Sequence, residues 1–478
     1  MKSLNQMSRR RFLGTAGAVV ASPIVGSILR AEPLARVREA DEEFLETLEK
    51  RTFDWFWQTA NPKNGLVPDR WPREAPCSIA AVGFGLAGYG VGIERGYISR
   101  AEAIKRVRNT LQFFWEAPQS EDAATAAGLR GFFYHFLNMK SGLRQWECEL
   151  SSIDTGLLMC GVLFCREYFD RDDAGEREIR DRADALYRRV KWNWMQPRPP
   201  LVCMSWRPER GFGDHEYKGY DEAMFLYILA LGSPTHAIDP AAWNAFTSTY
   251  KWGDFYGQQH VNFAPLFGHQ YSHCFIDFRG IRDAYMRDKG IDYFENSRRA
   301  TYSQRAYAAK NPLRWKDYSA EIWGLTACDG PADAKLPYAG EEREFRSYSA
   351  RGAALDYIND DGTIAPTAAG GSIPFAPEIC IPALQAMRNR YGEALFTKYG
   401  FLDAFNPSFT FHDVELKHGE LIDGLGWVDT DYLGIDQGPI LLMSENLRTE
   451  LIWDVLKKSQ YVRRGLERAG FTGGWLAS

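Results

Sequence analysis

Two kinds of apolar pattern alternate along the chain. Ser151 to Phe169 (SSIDTGLLMCGVLFCREYF) and Gly219 to Leu231 are apolar on nearly every face, and Ser78 to Ile93 is small and apolar throughout. A helix without a polar side has to be shielded by other helices. The segments between them are amphipathic. Asp41 to Gln58 carries Phe44, Leu45, Leu48, Trp55 and Phe56 at helical spacing behind an Asp suited to capping. Ser99-Arg100-Ala101-Glu102 is a capping box, and it opens a helix with Ala103, Val107, Leu111 and Phe114 on one face. Asp173 to Trp194 is amphipathic and charged. Further helices are predicted over Ser297–Lys310, Ser319–Cys328, Pro377–Tyr391, Ile435–Leu447 with an extension through Lys458, and Gln460–Ala469.

Strand-like alternation is sparse, and no sequence repeat or linker divides the chain. Apolar helices interleaved with amphipathic ones imply an inner layer wrapped by an outer one. The pattern predicts an all-α fold, an (α/α)6 toroid made of a double ring of helices. A helical solenoid would show a repeat period. Gly83-Phe84-Gly85-Leu86-Ala87-Gly88 spells GxGxxG, but neither a preceding strand nor a ribose-binding acid about twenty residues later accompanies it. Its small residues are read as a surface for close helix approach.

The first residues change the picture of where the protein works. Arg9-Arg10-Arg11-Phe12-Leu13 followed by the uncharged stretch Gly14 to Leu29 is a twin-arginine export pattern, too short for a membrane span. Residues 1–35 are expected to be a signal peptide and 36–478 a single catalytic domain, periplasmic or secreted, with no membrane span after the signal is removed. A net charge of -5 over 478 residues supplies no basic field for nucleic acid. The eight cysteines are scattered among apolar neighbours and form no CxxC pair, so buried free thiols are expected.

Candidate chemistry lies in the acids of the apolar helices. Asp154 and Glu222 fall in predicted first turns, Glu378 follows Pro377, and Asp436 precedes Gln437-Gly438-Pro439. Acids favour any helix start because of the dipole and the free N–H groups there, worth about 0.3–1 kcal/mol. Four on core-grade helices point instead to carboxylates gathered at one end of a barrel, the arrangement that glycosidic bond cleavage needs. Trp206, Trp323 and Trp427 are candidate sugar platforms. Arg70 with its neighbour Trp71, Tyr134, Tyr220 and Gln437 are candidate hydroxyl contacts. The segment Asp360 to Glu378 is expected to rim the cleft, with Asp360-Asp361-Gly362 as a plain turn. His260, His269 and His273 lack an HExxH frame and are read as core residues or, for His269, a sugar contact. No metal or cofactor is expected.

Seven segments together resemble the glycoamylase-like proteins, the group that includes glycoside hydrolase family 144. They are Ser151–Thr155, Gly219–Met224, Leu231–His236, His269–His273, Trp323–Ala327, Asp361–Pro366 and Asp436–Pro439. The resemblance runs in order from Phe44 to Leu456. It implies an (α/α)6 toroid acting on β-1,2-linked glucan or its oligosaccharides with inversion, with Glu222 as the leading catalytic acid. Asp154 and Glu149 then fall where the family places further acids, and Asp221 adds a charge that raises the pKa of Glu222. Asp154 is the leading base. The expected partner is a β-glucan, and the expected assembly a monomer or dimer. The competing expectations are a non-catalytic glycan-binding protein on the same fold, and a polysaccharide lyase or epimerase.

Overall fold

The computed structural model describes residues 38–477. The predicted signal peptide therefore lies outside the described residues. The molecule is mainly helical, and the helices follow the apolar periodicity closely. The first six long ones are α1 (Glu39–Thr59), α2 (Ile79–Glu94), α3 (Arg100–Glu116), α4 (Ser152–Tyr168), α5 (Ala174–Arg189) and α6 (Met224–Gly232). The later ones include Tyr271–Phe275, Tyr293–Lys310, Pro366–Gly370, Pro377–Tyr391, Gly434–Thr449 and Gln460–Arg468. The Ser99 capping box forms in full.

The apolar helices pack side by side. α2 lies on α4, α4 on α6, and α6 on Tyr271–Phe275, while Gly434–Thr449 packs on both Pro366–Gly370 and α2. The amphipathic helices cover them: α1 and α3 lie against α2, α5 against α4, Gln460–Arg468 against α6, and Pro377–Tyr391 against Pro366–Gly370. Glycines set the closest of these approaches. A Cβ at Gly83 would lie 2.2 Å from the Leu157 carbonyl oxygen, and one at Gly161 2.1 Å from that of Gly83. The GxGxxG run is thus the middle of α2 packed on α4. All eight cysteines are free and buried. No helix among the described residues is long and apolar enough to cross a membrane.

Three expectations need correction. The chain is not purely helical: short antiparallel pairs of two to five residues decorate it, such as Cys77–Ser78 with Phe136–Leu137 and Leu150–Ser151 with Ser205–Arg207. Two-residue strands are shorter than any alternation can register. Ser319–Cys328 is not a helix but a turn that leads into the strand Ala327–Asp329. The segment Asp360 to Glu378 is no exposed rim, because its residues from Asp361 to Ala376 are buried and include the helix Pro366–Gly370. Asp361 there pairs with the fully buried Arg351 at 2.7 Å, and Asp360 accepts hydrogen bonds from Tyr307 and Tyr318, both at 2.8 Å.

Candidate active site

The short strands deliver residues to the N-terminal ends of the apolar helices, and those ends meet at one cavity. Its volume is 440 Å³, a size typical of small-ligand sites. Ser78, the N-cap of α2, lines it together with Ile153, Asp154 and Leu157 of α4. So do Glu222 before α6, Tyr271 at the start of its helix, and Ile435 and Asp436 in the first turn of Gly434–Thr449. Asp69, Arg70, His135, Phe136, Phe267 and Tyr348 complete most of the wall.

Glu222 is not in the first turn of its helix. Ala223 occupies the position before α6, and Asp221 and Glu222 form the preceding turn after Gly219, whose φ is +95°. The Ser272 hydroxyl fixes this turn: it donates to the Glu222 carbonyl at 2.9 Å and accepts from the Phe225 N–H at 3.0 Å. A hydroxyl from another helix therefore caps the start of α6. Asp221 accepts from the Ala223 N–H at 2.9 Å, and burial with the charge of Glu222 pushes it well above the usual carboxylate range. Burial also pushes Glu222 up to about 7, aided by the nearby charge of Asp154.

Asp154 has a different environment. Ser151 caps α4 by accepting from the Asp154 N–H at 3.2 Å, and its hydroxyl donates to the Asp154 carboxylate. His135 Nε2 lies 3.7 Å from Asp154 Oδ1, while Nδ1 lies 3.0 Å from Glu149 Oε1. Nδ1 donates to Glu149 and Nε2 lies at ion-pair distance from Asp154, so a carboxylate near each nitrogen favours the imidazolium. Burial opposes that charge, but Asp154, Glu149 and Asp69 outweigh it and raise His135 to about 9. Burial likewise opposes the charge on Glu149, yet His135 and Arg207, the latter at 2.7 Å, bring it down to about 2. Asp436 is pushed up to about 7 by burial, against a hydrogen bond shared with Asp403 and with Asp329 and Asp69 adding repulsion. The cavity thus holds carboxyl groups that prefer a proton beside one that faces a cation.

Of the residues singled out from sequence, the structure brings Glu222, Asp154, Asp436 and Arg70 to the cavity wall, with Glu149 behind His135. Trp71 stands next to Arg70 with its ring against Tyr399 and Tyr432. The others lie elsewhere. Glu378 pairs with Arg298 at 2.7 Å on the surface. Trp323 is buried in the core, and so is Trp427, whose indole N–H donates to the His418 carbonyl at 2.7 Å. Tyr134 is buried under Arg144. Trp206 packs its ring on Trp194 of the short 3-10 helix Trp192–Met195 and pairs in register with Phe212 of the neighbouring strand. Gln437 donates to the Phe401 carbonyl at 2.9 Å. The Tyr220 ring lies tilted against His269, and His260, His269 and His273 each contact a separate carbonyl or hydroxyl. Sequence reasoning passed over His135, Tyr271 and Tyr348. His135 had one readable signal, the aromatic run Phe132 to Leu137, which forms the two short strands on either side of it.

Residues 214–460, just over half of the chain, match the family model "Glycoamylase", described as "Putative glucoamylase". The chain belongs to the Glycoamylase family. Among solved structures it is similar to a Bacteroides uniformis protein described in those same words, 30% identical with a TM-score of 0.77, covering 92% of this chain and 100% of that one. It is also similar to an endo-β-1,2-glucanase from Chitinophaga pinensis solved with sophorotriose and glucose, 28% identical with a TM-score of 0.77, over 91% and 99% of the two chains. An exo-β-1,2-glucooligosaccharide sophorohydrolase from Parabacteroides distasonis is 27% identical over 90% of this chain. The chain spans 58% of that curated relative's length.

Proposed function

We propose that this Glycoamylase-family chain is a glycoside hydrolase that cleaves β-1,2-linked glucan or its oligosaccharides with inversion. The observation that carries the reading is the contrast between two carboxyl groups in one cavity. Glu222, raised to about 7, is still about half protonated at neutral pH, while Asp154 faces the His135 imidazolium. Glu222 protonates the glycosidic oxygen as the bond to the anomeric carbon breaks. Asp154 takes the proton of the water that attacks the opposite face. His135, Glu149 and Arg207 hold Asp154 in place. Phe136, Tyr271 and Tyr348 offer the ring faces on which a sugar stacks, in the place of the tryptophans expected from sequence. The printed activities of the Chitinophaga and Parabacteroides relatives support the substrate class.

Asp436 supports a second assignment of the base, because a base poised near 7 suits neutral pH and this carboxyl lines the same cavity. The assay is turnover of β-1,2-glucan with the anomeric form of the product followed by NMR. Glu222→Gln should lower kcat by about 10²–10⁴-fold. Wild-type turnover in that variant, or oligosaccharide binding without product in the wild type, would overturn the hydrolase reading. Comparing Asp154→Asn with Asp436→Asn identifies the base as the variant whose loss matches that of Glu222→Gln.

The helix pairings described above support the double-ring reading, an (α/α)6 toroid with the cavity at the end where the inner helices begin. Export through the twin-arginine route, a single catalytic domain over 36–478 and a monomeric or dimeric state complete the proposal. Fractionation of the producing cell and sedimentation of the mature protein test these.

A further inference from the structure

Behind the Arg70 and Asp436 wall of the cavity, four more aspartates meet. Asp329 ends the strand Ala327–Asp329, Asp403 follows the strand Gly400–Phe401, and Asp429 and Asp431 follow the strand Gly426–Val428. None is more than 3% exposed. One carboxylate oxygen from each of Asp329, Asp429 and Asp431 lies within 4.8 Å of the others. Two guanidiniums reach the cluster: Arg70 lies 2.5 Å from Asp329, and Arg73 lies 2.5 Å from Asp431. Arg70 also serves Asp69 at 3.1 Å, so the two guanidiniums are shared among five carboxyl groups, and burial with mutual repulsion pushes Asp403 and Asp429 well above the usual carboxylate range. His418, which touches Arg73, does not add to the positive charge, since burial lowers its pKa.

The hydrogen bonding leaves a gap of the same kind. Asp403 Oδ2 accepts from the Asp329 N–H at 2.8 Å, and Asp403 Oδ1 is buried, where the carboxyl's remaining hydrogen bond is the one it shares with Asp436. Asp429 Oδ1 accepts from the amides of Thr430 and Asp431, and Asp429 Oδ2 is buried and unpartnered. A buried carboxylate oxygen with nothing to accept from is costly, and the two remedies are a proton or a cation.

We infer that Asp329, Asp429 and Asp431, with Asp403 beside them, form a structural site for a hard divalent cation, of which calcium fits best. All the donors are carboxylate oxygens, the class that hard cations prefer. A charge of +2 offsets the shortage of positive charge around these carboxyl groups. Oxygens on opposite sides of a calcium ion are roughly 4.6–5.2 Å apart, given ligand distances of 2.3–2.6 Å, so the observed spacing fits inside its shell. Magnesium keeps several waters and a strict octahedron, which suits a carboxylate-lined, buried pocket less well. The ion would tie together three loops distant in sequence, and the last of them leads into the helix that carries Asp436. The expectation from sequence, that no metal is bound, then fails for a simple reason: the ligands come from positions 329 to 431 with no common motif.

The test uses the full-length mature protein, stripped by chelator dialysis and then equilibrated with calcium chloride or magnesium chloride. Metal content is measured by mass spectrometry and stability by thermal unfolding, neither of which depends on the proposed hydrolase activity. The expected result is about one calcium per chain and a Tm that rises with calcium concentration, as ligand linkage requires. Asp429→Asn should keep its fold by circular dichroism and lose the calcium dependence of Tm. Should that variant not fold, terbium luminescence on the stripped wild type, competed by calcium, gives the same decision. A wild type that takes up no calcium and shows no shift in Tm would overturn the inference and assign protons to Asp403 and Asp429. Binding of magnesium in preference to calcium would overturn the calcium assignment.

Discussion

Replacing Glu222 with Gln should change stability in a pH-dependent way. The carboxyl rises from an ordinary 4.5 to about 7 in the folded state because burial disfavours its charge. A group with a raised folded pKa contributes its full stability below the unfolded value, and that contribution is lost as pH rises through the folded value. From 4.5 to about 7, at about 1.4 kcal/mol per pH unit, the wild type loses about 3 kcal/mol. Gln has no charge to desolvate and is flat over this range. The difference in stability between Glu222→Gln and wild type should therefore move in favour of the variant by about 3 kcal/mol from about pH 4 to pH 8. Urea unfolding followed by tryptophan fluorescence at several pH values measures it. A stability difference that stays constant across this range would refute the claim that Glu222 is held protonated, and with it the assignment of the acid. Glu222 is the acid of the proposed mechanism, so the same variant links the stability profile to the loss of turnover.

The remaining predictions concern other parts of the structure. kcat should fall on the alkaline side with an apparent pKa near 7 as Glu222 loses its proton, as the pH–rate profile would show. His135→Gln removes the cation beside Asp154 and Glu149, so the acid limb of that profile should move to higher pH; an unmoved limb would count against the positioning role of His135. Gly83→Ala places a methyl where the Leu157 carbonyl now lies, and should cost about 1–3 kcal/mol in denaturant unfolding. Arg351→Met leaves Asp361 buried without its partner and should cost about 3–5 kcal/mol, more at pH 7 than at pH 3 because a protonated Asp361 no longer needs the guanidinium.

The helical layers were legible in the chain. Apolar runs such as Ser151–Phe169 and Gly219–Leu231 announce helices with no exposed side, and the capping box at Ser99 marks its helix start to the residue. The acids that line the cavity, Asp154, Glu222 and Asp436, stood out because several carboxylates at the heads of apolar runs are more than helix capping asks for. Local reasoning failed where the partner was remote. Trp323 and Trp427 looked like platforms because loops carry them, but the core takes them up, as it does most large aromatic surfaces. Glu378 looked like Asp154 in sequence, but its helix Pro377–Tyr391 lies on the outside, where Arg298 reaches it.

The sequence by itself determined which segments are helices, which of them must be inside, and that their acidic starts were worth watching. These follow from periodicity and from the cost of burying charge, both properties of neighbouring residues. Only the tertiary structure decided that Glu222 stands in a turn held by Ser272, that His135 bridges Asp154 and Glu149, and that four aspartates between 329 and 431 share one buried place. Each of these depends on side chains far apart in the chain. Their pKa values and pairings are set by distance in space, which no local pattern encodes.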